Sequence, residues 1–460
     1  MEKNKYKNLK KEEVIALIKE HPSSSIKFAV TDIDGVLRGK LVSKEKFIKS
    51  IEDNRISFCN VIFGWDINDA CYDNTEKSGW HTGYPDANAS FDLSSMRRIP
   101  WEEDKLFFLA DFEKSDQLSS ICPRALLKRI IKQANELEFL PKFSNEFEWF
   151  NFDETPQTLS DKGYNDPTPI SPGMFGYSVL RTSQFSDYIN DLFELMHQFD
   201  VPIEGLHTET GFGVYEACIT YNEVLKAADQ AVLFKNSVKE IAFHHEIMPS
   251  FMAKWNKDLP GCSAHIHQSL WSLNGEKNLF FDIDKNEQMS EILNSYLAGQ
   301  LHCLPHILPL YAPTVNSYKR FVEGSWAPTS KSWGIENRTT ALRVINHDEH
   351  SMRLENRVPG ADTNAYLIMA ASLASGLYGV KNKLKLDQKP TVGNEYENPK
   401  SEFLPTNLHK ATKAMKESEI AETLFGKDFT GHFIKTREWE WRQYDPQISN
   451  WELKRYFEIV

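Results

Sequence analysis

Charged side chains two residues apart inside otherwise apolar, strand-like segments are what most limits the fold of this chain. Side chains alternate faces along a strand, so positions i and i+2 share one. In 143–152 (FSNEFEWFNF), Glu146 and Glu148 take one face while Phe147 and Trp149 take the other. In 263–270 (SAHIHQSL), His265, His267 and Ser269 share a face. In 351–358 (SMRLENRV), Arg353, Glu355 and Arg357 do the same. A fourth segment, 209–216 (ETGFGVYE), sets Glu209 and Glu216 around a turn that contains Gly211 and Gly213.

Any one of these strands alone reads equally well as a strand with a solvated face. Together, with aromatic or apolar residues opposite, they predict one sheet on which five carboxylates and two histidines converge with several arginines. Such a surface is tolerable only if its charges pair or bind metal, because an isolated buried charge costs several kcal/mol. Carboxylates with a single imidazole suit Mg²⁺ or Mn²⁺, and nothing resembles a thiolate zinc site. Between 316 and 343 lie Lys319, Arg320, Arg338 and Arg343, which join Arg353 and Arg357 as a basic set. Guanidiniums facing a metal–carboxylate site are apparatus for polyphosphate and carboxylate substrates, so the residues themselves suggest phosphoryl transfer.

The chain's 460 residues and 41% hydrophobic content allow a sizeable core in more than one domain. A net charge of −12 argues against nucleic acid or an anionic membrane as principal partner. No apolar run reaches the roughly 18 residues of a membrane helix, and 366–380 reads as a buried core helix. The charged start MEKNKYKNLKKEE predicts no signal peptide. Six dispersed cysteines without a CxxC pair predict a reducing, cytoplasmic setting.

Spacing predicts a helix over 11–20, a strand pair over 26–33 and 36–42 about the turn Asp34-Gly35, and a strand over 105–111. The polar stretch 65–98 reads as a long functional loop, and Pro123 opens a helix through Gln133. A first domain over 1–114 and a second over 115–460 are expected, with 385–402 the only later linker-like stretch. Helices and hairpin-compatible strands without a βαβ rhythm place the chain in the α+β class. His244, His245 and His302 read as structural or surface residues, and Trp333 as core or an adenine contact.

The order of these segments closely resembles the glutamine synthetase superfamily over nearly the whole chain. The resemblance runs through 28–35 (FAVTDIDG), Arg38-Gly39-Lys40, 83–86 (GYPD), 99–101 (IPW), Glu146 and Glu148. It continues through Gly211-x-Gly213-x-Tyr215-Glu216, Ala253-Lys254, His265-x-His267, 316–320 (NSYKR), Asn337-Arg338, Arg353-x-Glu355-x-Arg357 and the helix after Asn364. It implies a small N-terminal β-grasp domain and a large catalytic domain whose curved antiparallel sheet is flanked by helices. It assigns Glu148, Glu209 and Glu216 to one divalent ion, and Glu146, His265 and Glu355 to a second. It implies that His267, Ser269, Arg338, Arg343 and Arg353 meet ATP, and that Gly261, Arg320 and Arg357 hold glutamate, with Arg338 and Arg357 catalytic. It also implies a hexameric or dodecameric ring, with a neighbour's N-terminal domain completing each site.

This chain departs from the resemblance around the acceptor. Ammonium-using members carry a glutamate where 320–328 (RFVEGSWAP) has Trp326. Their DGSS-type aspartate loop is absent between 60 and 90, where Asp66 and Asp69 are the substitutes on offer. Val214, Gly261-Cys262-Ser263 and Asn364-Ala365 are further departures, and no adenylylated tyrosine loop is matched. The metal and phosphate residues are spared. The expected activity is therefore an ATP-dependent γ-glutamyl–amine ligase acting through γ-glutamyl phosphate, of the γ-glutamylpolyamine or γ-glutamylmethylamide synthetase kind, with Trp326 at the amine. The alternative is an ordinary glutamine synthetase in which Glu323 refills the missing role. Two remoter readings are a non-catalytic homologue and a haloacid dehalogenase-type phosphatase, the latter on Asp32-Ile33-Asp34-Gly35. That phosphatase needs a βαβ framework, and short motifs match by chance.

Overall fold

The computed structural model describes residues 9–112 and 117–460. The expected domain boundary at 114 lies outside the described residues. Before it, a five-stranded sheet is built from β1 (Ser25–Thr31), β2 (Leu37–Ser43), β3 (Ile56–Cys59), β4 (Asp86–Ile99) and β5 (Lys105–Asp111). Its order is β2-β1-β5-β4-β3, with β1 and β5 parallel at the centre, the β-grasp pattern. The helices Lys11–Glu20 and Lys44–Glu52 bury Val14, Ile18, Phe47 and Ile51 against Phe28, Phe58 and Phe108.

The turn between β1 and β2 shows what Asp32 does. Its carboxylate accepts from the amides of Asp34 (3.0 Å) and Val36 (2.9 Å) and from Arg38 Nε (2.8 Å), while Gly35 supplies a φ of +85°. Asp34 is ion-paired with Arg437 at 2.5 Å. Both aspartates hold a hairpin and its docking, and among the described residues no βαβ framework lies beside them, so the phosphatase reading is set aside.

The expected loop over 65–98 ends earlier than its composition suggests, because 86–99 is the long strand β4. Small residues such as Ala87 and Ala89 at its inward positions hid the alternation, and pairing between β3 and β5 overrides weak propensity. Residues 385–402 are no linker either. Glu395 is buried there and accepts from Ser330 Oγ (2.7 Å), Thr391 Oγ1 (2.6 Å) and Ser401 Oγ (2.7 Å), fastening the segment over 330–340.

The second, curved sheet has nine strands: β6 (Phe139–Phe152), β7 (Ile203–Thr208), β8 (Val214–Ile219), β9 (Asn222–Glu223), β10 (Met248–Ser250), β11 (Ala264–Ser272), β12 (Trp333–Ile335), β13 (Leu342–Ile345) and β14 (Arg353–Asn356). Its main path is β12-β13-β14-β11-β6-β8-β7, antiparallel except at β12–β13, with β9 and β10 also on β6. One face is apolar. There Phe147 and Trp149 of β6 meet Phe234 at ring separations of 5.6 and 5.7 Å, on the helix Val224–His244.

Behind that layer the helices Glu291–Tyr311 and Ala365–Lys381 pack backbone to backbone. A Cβ on Gly299 would lie 2.6 Å from the Gly379 amide nitrogen, so only glycine allows this approach. Asn364 caps the second helix through the amide of Tyr366 (3.0 Å), and its Nδ2 donates to Asp32 O (3.0 Å), joining the two sheets' units. Among the described residues no helix is long and apolar enough to cross a membrane.

Candidate active site

The concave face of the larger sheet receives the charged half of each strand, and register decides which side chains become neighbours. Across β6–β8, Glu148 pairs with Glu216 and Glu146 with Cys218; across β7–β8, His207 pairs with Glu216. Across β11, His265 faces Glu146, and His267 faces Glu355 of β14, which in turn faces Arg343 of β13. The four segments singled out in sequence thus share one sheet face.

Two adjoining cavities open there. One, of about 440 Å³, is lined by Glu146, Glu148, Glu209, Glu216, Gly261, His265, Arg320, Trp326, Arg338, Arg343, Glu355 and Arg357, with Tyr177 and His207. The other, of about 470 Å³, shares Glu146, Arg338 and Arg343 and adds His267, Ser269 and Arg353. All the residues that the resemblance assigns to metal, ATP or glutamate lie in one or the other, as does Trp326. Lys319 does not: it is exposed, with its ammonium over the Tyr444 ring. Trp333 is buried, donating Nε1 to Gln388 O at 2.8 Å, and is core.

Acids, imidazoles and guanidiniums interleave. Glu146 Oε2 meets His267 Nε2 at 2.9 Å and His265 Nδ1 at 3.9 Å. Glu355, fully buried, lies 3.5 Å from His265 Nδ1, 2.5 Å from Arg357 Nη1 and 3.0 Å from Arg343 Nη1. Burial pushes the Glu355 carboxyl up, but Arg357 and the two histidines outweigh it and hold the group at about 2. Arg343 also pairs with Glu336, and Arg353 Nε approaches His267 Nδ1 at 3.2 Å. Glu148 Oε2 accepts from the Ser263 amide at 2.7 Å.

On the other side, His207 Nε2 lies 3.2 Å from Glu209 Oε1 and 3.4 Å from Glu216 Oε1. Burial, a hydrogen bond to Glu146 and the charges of Glu146, Glu148 and Glu209 drive the Glu216 carboxyl far above its usual range. This surplus of crowded acid is what a divalent ion neutralises, and the donor set is right for one. Ligand atoms of Glu146, His267 and Glu355 lie within 4.8 Å of one another, as do those of His207, Glu209 and Glu216. The geometry therefore offers His267 as well as His265 beside Glu146 and Glu355, and His207 beside Glu209 and Glu216.

His207, Tyr177 and Glu336 were missed in the sequence. His207 carried the same signal as the others, since it stands at i−2 from Glu209 in a strand-like run. Tyr177 and Glu336 stand in segments without strand periodicity, and only the fold brings them in.

The amino-acid side of the cavity depends on close approach. A Cβ on Gly261 would lie 2.4 Å from Ala253 O and 2.6 Å from Arg320 Cγ, so glycine lets that loop close over the arginine. Arg320 is buried and donates to Ser263 Oγ (3.2 Å) and to Val358 O. Trp326 sits at the mouth with a φ of +62° and 56% exposure, its carbonyl accepting from Arg357 Nη2 at 3.4 Å. Glu323 is exposed and not part of the cavity wall. Asp66 and Asp69 are engaged elsewhere, Asp69 with Arg38 at 2.7 Å.

A curved sheet that gathers buried acids, imidazoles and guanidiniums on its concave face defines an enzyme that handles phosphates and carboxylates around divalent ions. The chain belongs to the glutamine synthetase family: residues 120–456 match the family model described as glutamine synthetase, catalytic domain. It is 51% identical to type-1 glutamine synthetase 2 of Dictyostelium discoideum over 97% of this chain and 86% of that one. It is 36% identical to a glutamate–isopropylamine ligase of a Pseudomonas species over the whole of both chains. Among solved structures, a GmaS/ADP complex superposes with a TM-score of 0.83 at 26% identity, covering 96% of this chain and 99% of that one. The family forms carbon–nitrogen bonds between glutamate and ammonia or an amine, and uses ATP and divalent metals.

Proposed function

We propose that this protein is a glutamate–amine ligase that spends ATP to form γ-glutamyl phosphate and then a γ-glutamyl amide. The observation that carries the reading is Trp326 at the cavity mouth, where the family resemblance implies a glutamate in ammonium-using members. The five acids lining the cavity are Glu146, Glu148, Glu209, Glu216 and Glu355, and all face imidazoles, guanidiniums or one another. None is left over as a dedicated ammonium site. The same cavity is also lined by Tyr177 and Pro260, surfaces suited to an alkyl or aryl amine.

In this reading Glu148, Glu209 and Glu216 hold one Mg²⁺ or Mn²⁺, and Glu146, His265 and Glu355 the other. Bound ions would neutralise charge shared by the phosphates and the attacking carboxylate. His267, Ser269, Arg338, Arg343 and Arg353 would receive ATP; the similar GmaS structure is an ADP complex, which supports a nucleotide here. Arg320, Arg357 and the Gly261 backbone would orient glutamate so that its γ-carboxylate attacks the γ-phosphate. Arg338 and Arg357 would stabilise charge on the phosphoryl group and the departing phosphate. With Asp66 bonded to Trp439 and Asp69 to Arg38, the departing phosphate would take the amine proton.

The chain would divide into a β-grasp unit over 1–114 and a catalytic unit over 115–460. It would work in the cytoplasm as a ring-shaped hexamer or dodecamer. A second reading, glutamine synthesis from ammonium, is favoured by the name of the 51% identical relative. A screen of ATP- and glutamate-dependent phosphate release over ammonium, methylamine, isopropylamine, diamines and aromatic amines decides. An amine with the highest kcat/KM supports the ligase reading. Ammonium ahead by more than about tenfold overturns it.

A further inference from the structure

We infer that His207 is a ligand of the divalent ion held between Glu209 and Glu216, and that its imidazole makes this position favour Mn²⁺ over Mg²⁺. The inference rests on the metal-dependent ligase reading above and names a residue which that reading does not use. The nitrogen and both carboxylate oxygens lie within 4.8 Å of one another, the spacing of donors around a common centre.

Each donor is aimed by something other than the ion. His207 is fixed along the strand by its β7–β8 pairing with Glu216. Its ring stacks on Tyr177 at 4.4 Å and 9°. Glu209 Oε2 is occupied by the Thr210 amide at 2.8 Å, which leaves Oε1 toward His207. Glu216 is buried on the adjoining strand. Half-buried at the cavity wall, His207 is close enough to reach a bound ion without any strand moving.

The chemical consequence follows from ligand type. A site made only of carboxylates suits Mg²⁺, a small hard cation that prefers oxygen and keeps its waters. An imidazole nitrogen adds little for Mg²⁺ but binds first-row transition ions well. The competing account is that His207 is a protonated partner of two carboxylates and leaves when a cation arrives. The two accounts differ in whether nitrogen is bonded to the metal.

The test is Mn²⁺ and Mg²⁺ titration of the metal-stripped protein, together with pulsed electron paramagnetic resonance of bound Mn²⁺ to read ¹⁴N couplings. His207→Gln and His207→Asn are compared with the wild type, each checked for folding by circular dichroism. The expected result is loss of one class of imidazole coupling, with Mn²⁺ affinity at one site weakened about tenfold or more and Mg²⁺ affinity little changed. Unchanged nitrogen couplings and Mn²⁺ affinities in both folded variants overturn the inference while leaving the ligase reading intact. A wild-type protein that binds neither ion overturns both.

Discussion

Trp439 Nε1 donates to Asp66 Oδ2 at 2.9 Å, fastening the loop after β3 to the helix Lys427–Tyr444 of the same chain. Asp66 Oδ1 also accepts from the amides of Asn68 (2.9 Å) and Ala70 (3.0 Å). Arg442 grips Asp73 with both terminal nitrogens, at 2.9 and 2.5 Å, and Asn74 Nδ2 donates to Lys435 O at 2.8 Å. The aspartate that sequence offered as a substitute at the ammonium site thus builds its own loop.

A double-mutant cycle measures this fastening. Asp66→Ala and Trp439→Phe should each destabilise the protein by about 1–2 kcal/mol, as loss of a partly buried hydrogen bond does. Their effects should fall short of additive by about 0.5–1 kcal/mol. Full additivity in chemical denaturation shows that the contact contributes nothing.

Arg124 gives the stability a pH dependence. It is buried between Asp92 (2.5 Å), Asp111 (2.7 Å) and Asp229 (2.8 Å), tying β4 and β5 to the helix Val224–His244. Burial raises the Asp92 carboxyl, but the Arg124 guanidinium and Ser94 outweigh it and hold it at about 2. A folded pKa below the unfolded value stabilises above the unfolded pKa, near 4, and that stability is lost as pH falls through about 2. Asp92→Asn should therefore cost about 1–2 kcal/mol at neutral pH and progressively less between pH 4 and 2. A constant difference across that window refutes the assignment.

The fold and most of the site were legible because their signal is local. Alternation in β6 and β11 put acids and imidazoles opposite Phe147 and Ile266, and no other face was available once those residues were buried. The loop chemistry was not legible, because Asp66 reads the same whether it meets a ligand, a loop amide or Trp439, and that choice is made by a helix more than 360 residues away. Strand β4 was hidden for a related reason, since its alanines and serines pack only because β3 and β5 flank them.

The crowding around Glu216 predicts opposite effects with and without metal. An acid whose folded pKa is raised binds a proton that the unfolded chain has lost, so it costs stability at neutral pH. In metal-free protein, Glu216→Gln should raise stability by about 1–3 kcal/mol. In Mn²⁺ that gain should shrink or reverse, since the cation stabilises only the carboxylate. Thermal denaturation of both proteins with chelator and with Mn²⁺ checks this. Phosphate release should vanish in chelator, and in Glu216→Ala and His265→Ala at any metal concentration.

A carboxylate beside the attacking nitrogen attracts ammonium and accepts its proton as the amide forms. Trp326 does neither, because an indole only donates and its bulk is apolar. It offers instead an aromatic wall, or a cation–π contact worth about 0.5–2 kcal/mol to a protonated amine. Its φ of +62° and the Arg357 bond to its carbonyl fix the backbone from which that wall stands. Trp326→Glu should therefore raise kcat/KM for ammonium by about tenfold or more and lower it for the preferred amine by a similar factor, the reversal expected when a pocket trades an apolar contact for a charge. Trp326→Ala should lose the amine without gaining ammonium, which separates removal of the wall from addition of the carboxylate. Glu323→Gln should leave both substrates nearly unchanged, since that side chain is exposed outside the cavity. A Glu323→Gln variant that loses ammonium activity, beside a Trp326→Glu variant that gains none, would place the acceptor's base in the turn before Trp326 and make the wild-type protein a glutamine synthetase.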